Sequence, residues 1–283
     1  MAQGSHPLPI PNMEVMVPKA TVFFPGDIYV TPEGIPRAVS EYLFVGSRWG
    51  VYSHFFATIL RGRALALSGK YDDEAWARSS REIIRNLERC RARFRIAGMD
   101  RVRRAEGPVV FVSNHMSTLE TLALPGLIVP LKPVTYVVKE KLLRGFFWGP
   151  IMRSRDPIPV SRKDPRGDLD IVMREGCARL AAGISVIVFP QGSRTDVFDR
   201  SRFNSLGAKL ASRAGVLLAP VAVKTDYWGS GGILRGFGPI RRDRPINIEF
   251  GEPFPVSGHG KAAHDQCISF IESRLRAWGA PVA

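Results

Sequence analysis

The chain mixes two hydrophobic periods. Short apolar runs rich in β-branched residues predict buried strands at Pro108–Val112, Pro133–Val138, Ile184–Phe189, Val216–Val223 (with Pro220 inside it) and Ile246–Phe250. "FRIAGMDRV", beginning at Phe94, alternates weakly and breaks at Gly98, which predicts a further strand and a turn. Helical spacing lies between these runs. It covers Leu169–Ala182, stopped by Gly183, then Ser205–Arg213, stopped by Gly215, and Lys261–Trp278 near the C-terminus. Strands alternating with helices predict an α/β sheet with both faces covered. There is no internal repeat and no low-complexity tract.

The N-terminal part follows another pattern. It is proline-rich and irregular through about Pro36, without a basic-then-apolar signal peptide. "YLFVGSRWGVYSHFFATIL", Tyr42–Leu60, is apolar but interrupted by Arg48 and His54, so it falls short of the roughly 18 unbroken apolar residues of a membrane span. It predicts a helix with a wide apolar face and an aromatic edge of Trp49, Tyr52, Phe55 and Phe56. Two uses fit that pattern. The helix packs into the core, or it lies in a membrane interface with Arg61 and Arg63 at its end facing lipid phosphates. A second helix is predicted over Asp73–Arg93, with Asp72 or Asp73 as N-cap. Its Arg85, Arg89, Arg91 and Arg93 form an ordinary solvated face, or each adds about 1 kcal/mol beside an anionic bilayer.

Charge narrows the class of partner. The 283 residues carry 40 Lys and Arg against 26 Asp and Glu, a net charge of +14. Charged residues make up 23% and hydrophobic ones 45%, which excludes a disordered chain. A basic protein seeks nucleic acid, an anionic membrane or phosphorylated substrates, and composition alone does not choose among them. Cys90, Cys177 and Cys267 are too scattered for a zinc site or a disulfide framework and read as reduced thiols in a cytosolic setting. There is no zinc-finger spacing or RNA-binding aromatic motif, so no nucleic acid partner is expected.

The chemistry concentrates in "SNHMSTLETL", Ser113–Leu122. On one continuous helix, His115 and Glu120 would lie about 140° apart and could not cooperate. Ser117-Thr118-Leu119-Glu120, however, fits a capping box, so the helix starts near Thr118 and His115 falls in the turn before it. An imidazole and a carboxylate then meet at the C-terminal end of a strand, where open α/β sheets hold their ligands. Taken alone, the pair also reads as a capping glutamate and an ordinary turn histidine. A second segment, "VIVFPQGSRT" (Val186–Thr195), follows a buried strand with a tight turn at Gly192, hydroxyls at Ser193 and Thr195, and Arg194, whose fork can hold a phosphate. Val137–Arg162 mixes basic residues with Phe146, Phe147 and Trp148, a texture shared by membrane rims and ordinary helix surfaces.

In this order, the segments resemble the glycerophospholipid acyltransferase family, the group containing lysophosphatidic acid acyltransferases. Asn114-His115…Glu120 is similar to the family's Asn-His-x4-Asp motif, with glutamate for aspartate. Gly149…Ile158-Pro159-Val160-Ser161-Arg162 resembles its second motif, and Leu217-Leu218-Ala219-Pro220-Val221-Ala222-Val223 its fourth. Phe189-Pro190-Gln191-Gly192-Ser193-Arg194-Thr195 is similar to Phe-Pro-Glu-Gly-Thr-Arg-Ser, with Gln191 for the usual glutamate, and Phe250–Val256 resembles the usual last strand. The resemblance spans about Arg95–Val256.

The resemblance implies a mixed sheet flanked by helices, of the glycerol-3-phosphate acyltransferase-like type, with an N-terminal helical membrane-docking element. It divides the chain into an extension (1–37), a helical pair (38–94), a catalytic domain (95–258) and a C-terminal helix packed on it (259–283). It implies His115 as general base and Glu120 as the acid that orients it. Asn114, Lys139, Arg162, Gln191, Gly192, Ser193 and Arg194 would bind substrate, with Arg194 on the acceptor's phosphate. No metal or cofactor is implied. The donor would be an acyl-carrier-protein or acyl-CoA thioester, and the acceptor lysophosphatidic acid, with lyso-ornithine lipid or a lipid A precursor as alternatives. The enzyme would work peripherally at the cytoplasmic face of a membrane. A weakly catalytic homologue that binds lipid is the competing expectation, and Gln191 is the departure that motivates it.

Overall fold

The computed structural model describes residues 20–231 and 236–283. The expectation of no signal peptide, and most of the proline-rich extension, lie outside the described residues.

Among the described residues, eight strands form one sheet: β1 (Tyr29–Val30), β2 (Phe94–Ala97), β3 (Val109–Ser113), β4 (Val134–Lys139), β5 (Ile158–Val160), β6 (Ser185–Val188), β7 (Leu217–Lys224) and β8 (Ile246–Phe250). Their order is β1-β2-β8-β7-β3-β6-β4-β5. β7, β3, β6, β4 and β5 run parallel, and β8 joins β7 antiparallel. β2 pairs parallel with β8, and β1 antiparallel with β2. Every residue of β3 and β6 is buried, as expected of continuous apolar runs covered on both faces.

The helices are α1 (Val39–Leu43), α2 (Arg48–Leu67), α3 (Asp73–Arg89), α4 (Met99–Arg104), α5 (Leu119–Ile128), α6 (Glu140–Leu143), α7 (Gly149–Arg153), α8 (Pro165–Ala181), α9 (Leu206–Ala214) and α10 (Lys261–Ala277). They cover the sheet with two separate apolar cores. Residues of α2, α3 and α5, including Phe55, Ile84 and Leu124, pack on one face with Phe111 and Ile187. Residues of α8, α9 and α10, including Val172, Leu210 and Ile271, pack on the other with Val110 and Val188. Phe111 and Val110 are neighbours on β3, so the split is the period-2 alternation of a strand.

The expected elements are present, with several corrections. The extension is not wholly irregular, because β1 adds an edge strand. The Tyr42–Leu60 helix is two helices. Val45 (φ 49°) and Gly46 (φ 67°) turn the chain between α1 and α2, and α2 continues to Leu67. Arg61 and Arg63 therefore lie within α2, not at its end. The aromatic edge divides too: Tyr52 and Phe55 are buried, while Trp49 stays exposed. The second helix ends at Arg89, leaving Arg91 and Arg93 beyond it, and Asp72 caps it by accepting from the Ala75 N–H at 2.9 Å. The strand before Gly98 is present as β2, but "MDRV" after it starts α4 where only a turn was expected. Gly98 (φ 81°) is required there, because a Cβ would lie 2.2 Å from the Phe250 carbonyl oxygen. α8 begins at Pro165, four residues before Leu169, with Asp164 as N-cap.

The chain order of the strands opens the site. β3 passes to α5 on one face, while its neighbour β6 passes to α9 on the other. Connections that leave adjacent parallel strands toward opposite faces open a crevice at the strands' C-terminal ends.

Candidate active site

The crevice joins the β3–α5 turn to the β6–α9 loop. His115 and Glu120 meet there, with His115 Nδ1 2.8 Å from Glu120 Oε1. The local sequence accounts for the geometry. The Glu120 carboxylate reaches back to the Ser117 N–H at 2.8 Å, and the Ser117 hydroxyl accepts from the Leu119 N–H at 3.0 Å, a variant of the reciprocal capping box.

Glu120 is fully buried, and five donors converge on it. Oε1 accepts from His115 Nδ1, Met116 N and Ser117 N, and Oε2 from the hydroxyls of Ser117 and Thr225. Burial alone would raise this carboxyl. The hydrogen bond and charge of His115, with the Thr225 hydroxyl, outweigh it and hold the group below the usual glutamate range. An ionised carboxylate is acceptor-only, so Nδ1 donates its N–H to Glu120, and in the neutral imidazole this tautomer leaves the lone pair on Nε2.

The loop after β6 fixes His115 from the other side. Its N–H donates to Gln191 Oε1 at 2.8 Å, and its carbonyl accepts from the Thr195 N–H at 3.0 Å. The imidazole stacks on Phe189, with ring centroids 4.4 Å apart. Main chain and ring are thus both held by the segment Phe189–Thr195.

This arrangement corrects two expectations. Asn114 does not face substrate. Its buried amide donates to the Val223 carbonyl and accepts from the Val223 N–H, both at 2.8 Å, continuing the β3–β7 pairing past the strand's end. Gln191 is likewise an anchor for His115 and does not line the cavity.

The other expected residues do line it. A continuous cavity of about 1310 Å³ includes His115, Lys139, Arg162, Gly192, Ser193 and Arg194 in its wall. Gly192 (φ 68°) makes the turn, and the Arg162 guanidinium lies within about 4 Å of where a Cβ would stand there. Arg162 is itself left-handed (φ 61°), a conformation few non-glycine residues adopt. Asp168 secures it by accepting from the Ser161 and Arg162 N–H groups at 2.7 and 2.6 Å. Arg194 donates to the Thr118 hydroxyl. One side of the cavity is enclosed and apolar, with Phe55, Ile59, Trp76, Ile83, Leu122 and Tyr136. α2 and α3 therefore wall the cavity as well as covering the sheet. The sequence places Thr118 only as the start of a helix and gives no role to Thr225, since their partners Arg194 and Glu120 lie far away along the chain.

Comparison with known proteins adds the family context. A family model described as acyltransferase matches residues 93–224. A 1-acyl-sn-glycerol-3-phosphate acyltransferase of Pseudomonas aeruginosa is 29% identical over 246 residues, covering 86% of this chain and 88% of that one. A lyso-ornithine lipid O-acyltransferase of the same organism is 23% identical over 167 residues, covering 55% and 62%. The fold is similar to the crystal structure of the 1-acyl-sn-glycerophosphate acyltransferase of Thermotoga maritima, with a TM-score of 0.58 at 16% identity, covering 87% of this chain and 95% of that one.

Proposed function

We propose that the chain is an acyltransferase that transfers an acyl group from a thioester donor to the free hydroxyl of lysophosphatidic acid, giving phosphatidic acid. The observation that carries this reading is the His115–Glu120 pair opening into a cavity that is apolar on one side and cationic near the histidine.

The chemistry follows from that placement. The acyl chain occupies the apolar side, and the thioester carbonyl lies beside His115. Nε2 takes the proton of the acceptor hydroxyl as its oxygen attacks the carbonyl carbon, forming the new C–O bond. Glu120 holds the ring's tautomer and stabilises the imidazolium. The tetrahedral intermediate collapses with cleavage of the C–S bond, and His115 returns the proton to the departing thiolate. No covalent acyl-enzyme is needed. Base catalysis supplies about 10²–10⁴-fold, and the remainder comes from holding both reactants in one crevice. Arg194 and Lys139 present cations for the acceptor's phosphate.

The enzyme meets its lipid at a membrane surface. Among the described residues, no helix is long and apolar enough to cross a membrane. Large apolar side chains are nonetheless exposed on α1 and α2 and nearby, with Leu43 74%, Val45 91%, Trp49 54% and Phe146 67% accessible. Arg63 lies over the Phe146 ring and donates to its carbonyl, and Arg48 lies over Trp49, so cations interleave with this apolar surface. Such a surface suits an interfacial position on anionic lipid.

Lyso-ornithine lipid is the second acceptor to consider, given the relative that uses it. It lacks the phosphate that the cations near His115 suit. Thiol release from acyl-carrier-protein and acyl-CoA donors in liposomes, across a panel of lysolipids, tests the proposal. Release that requires lysophosphatidic acid and is abolished in His115→Ala is expected. Release that persists in His115→Ala would overturn the mechanism, and release only with lyso-ornithine lipid would replace the acceptor.

A further inference from the structure

The enclosed apolar side occupies only part of the cavity. The rest of the wall lies across the sheet edge, between α8 and α9. Val160 and Val172, from the other apolar core, form its floor there, with half-buried Leu169 and Leu206 above them. Ser205 and the exposed Lys209 complete this second part. The geometry follows from the strand order. β3 and β6 send their chains to opposite faces, so the crevice beyond their ends reaches both faces, and His115, just past the end of β3, lines the same cavity.

The two sides differ in character. The side walled by α2, α3 and α5 is deep, with Trp76, Ile83 and Tyr136 at 6%, 5% and 4% exposure. A hydrocarbon chain gains most there. The side between α8 and α9 is an open groove, half apolar and half polar, leading to a cation. Lys209 forms no ion pair with a described residue. Arg213 lies one turn further along α9, also exposed, and continues the positive edge outward.

An acyl thioester has the same asymmetry. A hydrocarbon leaves the carbonyl on one side. On the other, the sulfur leads to a chain carrying two amides and a gem-dimethyl carbon, and then to a phosphate. Resting on the acyl-transfer reading above, we infer that the groove between α8 and α9 receives the 4′-phosphopantetheine arm of the donor, with Lys209 meeting its phosphate. The donor then lies across the sheet edge with its thioester at His115. The acceptor comes from the Arg194 side and never uses Lys209. Leu169 and Leu206 contact the gem-dimethyl carbon, and Ser205 offers a hydroxyl to the amides. Coenzyme A and a carrier protein share this arm. They differ only past the phosphate, where Arg213 stands.

Steady-state kinetics with three donors of one acyl length, acyl-pantetheine, acyl-CoA and acyl-carrier-protein, test the assignment in wild type, Lys209→Glu and Leu206→Trp. In Lys209→Glu, the donor KM should rise about tenfold or more for both phosphorylated donors, while acyl-pantetheine, which lacks the phosphate, changes less than about twofold. Leu206→Trp should raise KM for all three. Acceptor KM should stay constant in both variants. Arg213→Glu then separates the sources: a further loss with the carrier protein alone, or with coenzyme A alone, identifies the physiological donor.

A rise in acceptor KM instead, or equal effects of Lys209→Glu on acyl-pantetheine and acyl-CoA, would overturn the assignment. Calorimetric titration with free coenzyme A gives a readout independent of turnover. Its Kd should weaken about tenfold in Lys209→Glu and remain unchanged in His115→Ala. Undiminished coenzyme A binding by Lys209→Glu overturns the groove alone. Acyl transfer that survives His115→Ala overturns the functional reading alone.

Discussion

Gln191 stands where the family usually carries a glutamate, and its amide oxygen holds the main chain of the proposed base. Gln191→Leu removes that acceptor at nearly constant volume. The His115 N–H, 2.8 Å from Oε1 in the native protein, then has no partner in a half-buried turn. An unsatisfied buried donor costs about 1–3 kcal/mol, and about 2–4 °C of melting temperature accompanies each kcal/mol in a chain of this size. The catalytic cost is larger. Misplacing a reacting group by about 1 Å costs on the order of 10²-fold. Thr195, Glu120 and Phe189 still hold the rest of the residue. A fall in kcat of about 10–100-fold, with both KM values within about twofold, is therefore expected. Gln191→Glu keeps an acceptor at the same place and should restore most of kcat. Stopped-time thiol release over full concentration ranges of donor and acceptor measures all of this. An unchanged kcat with a raised acceptor KM in Gln191→Leu would refute the anchoring role and make Gln191 a substrate contact.

Glu120 has a lowered pKa in the folded state, so its stabilising contribution is complete above the ordinary glutamate range and is lost as pH falls through the lowered value. Glu120→Gln should be less stable than wild type by about 1–3 kcal/mol near neutrality, with the gap narrowing on acidification; urea titrations showing a pH-independent gap would contradict this. Arg194→Ala should raise the KM of a phosphate-bearing acceptor more than that of the thioester, and equal changes would mark the residue as structural. Leu122→Trp fills part of the enclosed apolar side, so the donor preference should shift to shorter acyl chains in a competition assay; an unshifted profile would place the chain elsewhere. Gly98→Ala forces a Cβ against the Phe250 carbonyl at a left-handed position and should cost about 2 kcal/mol or more of stability with little change in the KM of residual native enzyme.

Locality decided what the sequence disclosed. The strands β3, β4, β6, β7 and β8 and the His115–Glu120 pair were readable because the signals that form them lie within a few residues: apolar β-branched runs, and a capping box that bends the chain between the two groups. The main-chain partners of Asn114 and Gln191 were not readable, for the opposite reason. Asn114 pairs with Val223, and Gln191 with His115, across 109 and 76 residues. Their motif positions suggested substrate, and only the strand order shows that they bind main chain. Thr225 was silent for the same reason, 105 residues from the carboxylate it supports. Other departures do carry local signals. Gly46-Ser47 is a helix stop followed by a start. Asp164-Pro165 is an N-cap followed by proline at the first helical position, so α8 was readable from its true beginning.

The walls of the enclosed apolar side have a consequence for how such enzymes diversify. Phe55, Ile59, Trp76 and Ile83 come from α2 and α3, whereas the family model begins only at residue 93. Four of the six apolar side chains named on this side thus come from one block of the gene ahead of that match, while Leu122 and Tyr136, like His115 and Glu120, come from within it. On the proposed function, drift or exchange in the first block can retune chain-length preference while His115 and Glu120 stay in place. A chimaera that swaps only the helical pair between two relatives should inherit the chain-length habit of one parent and the turnover of the other.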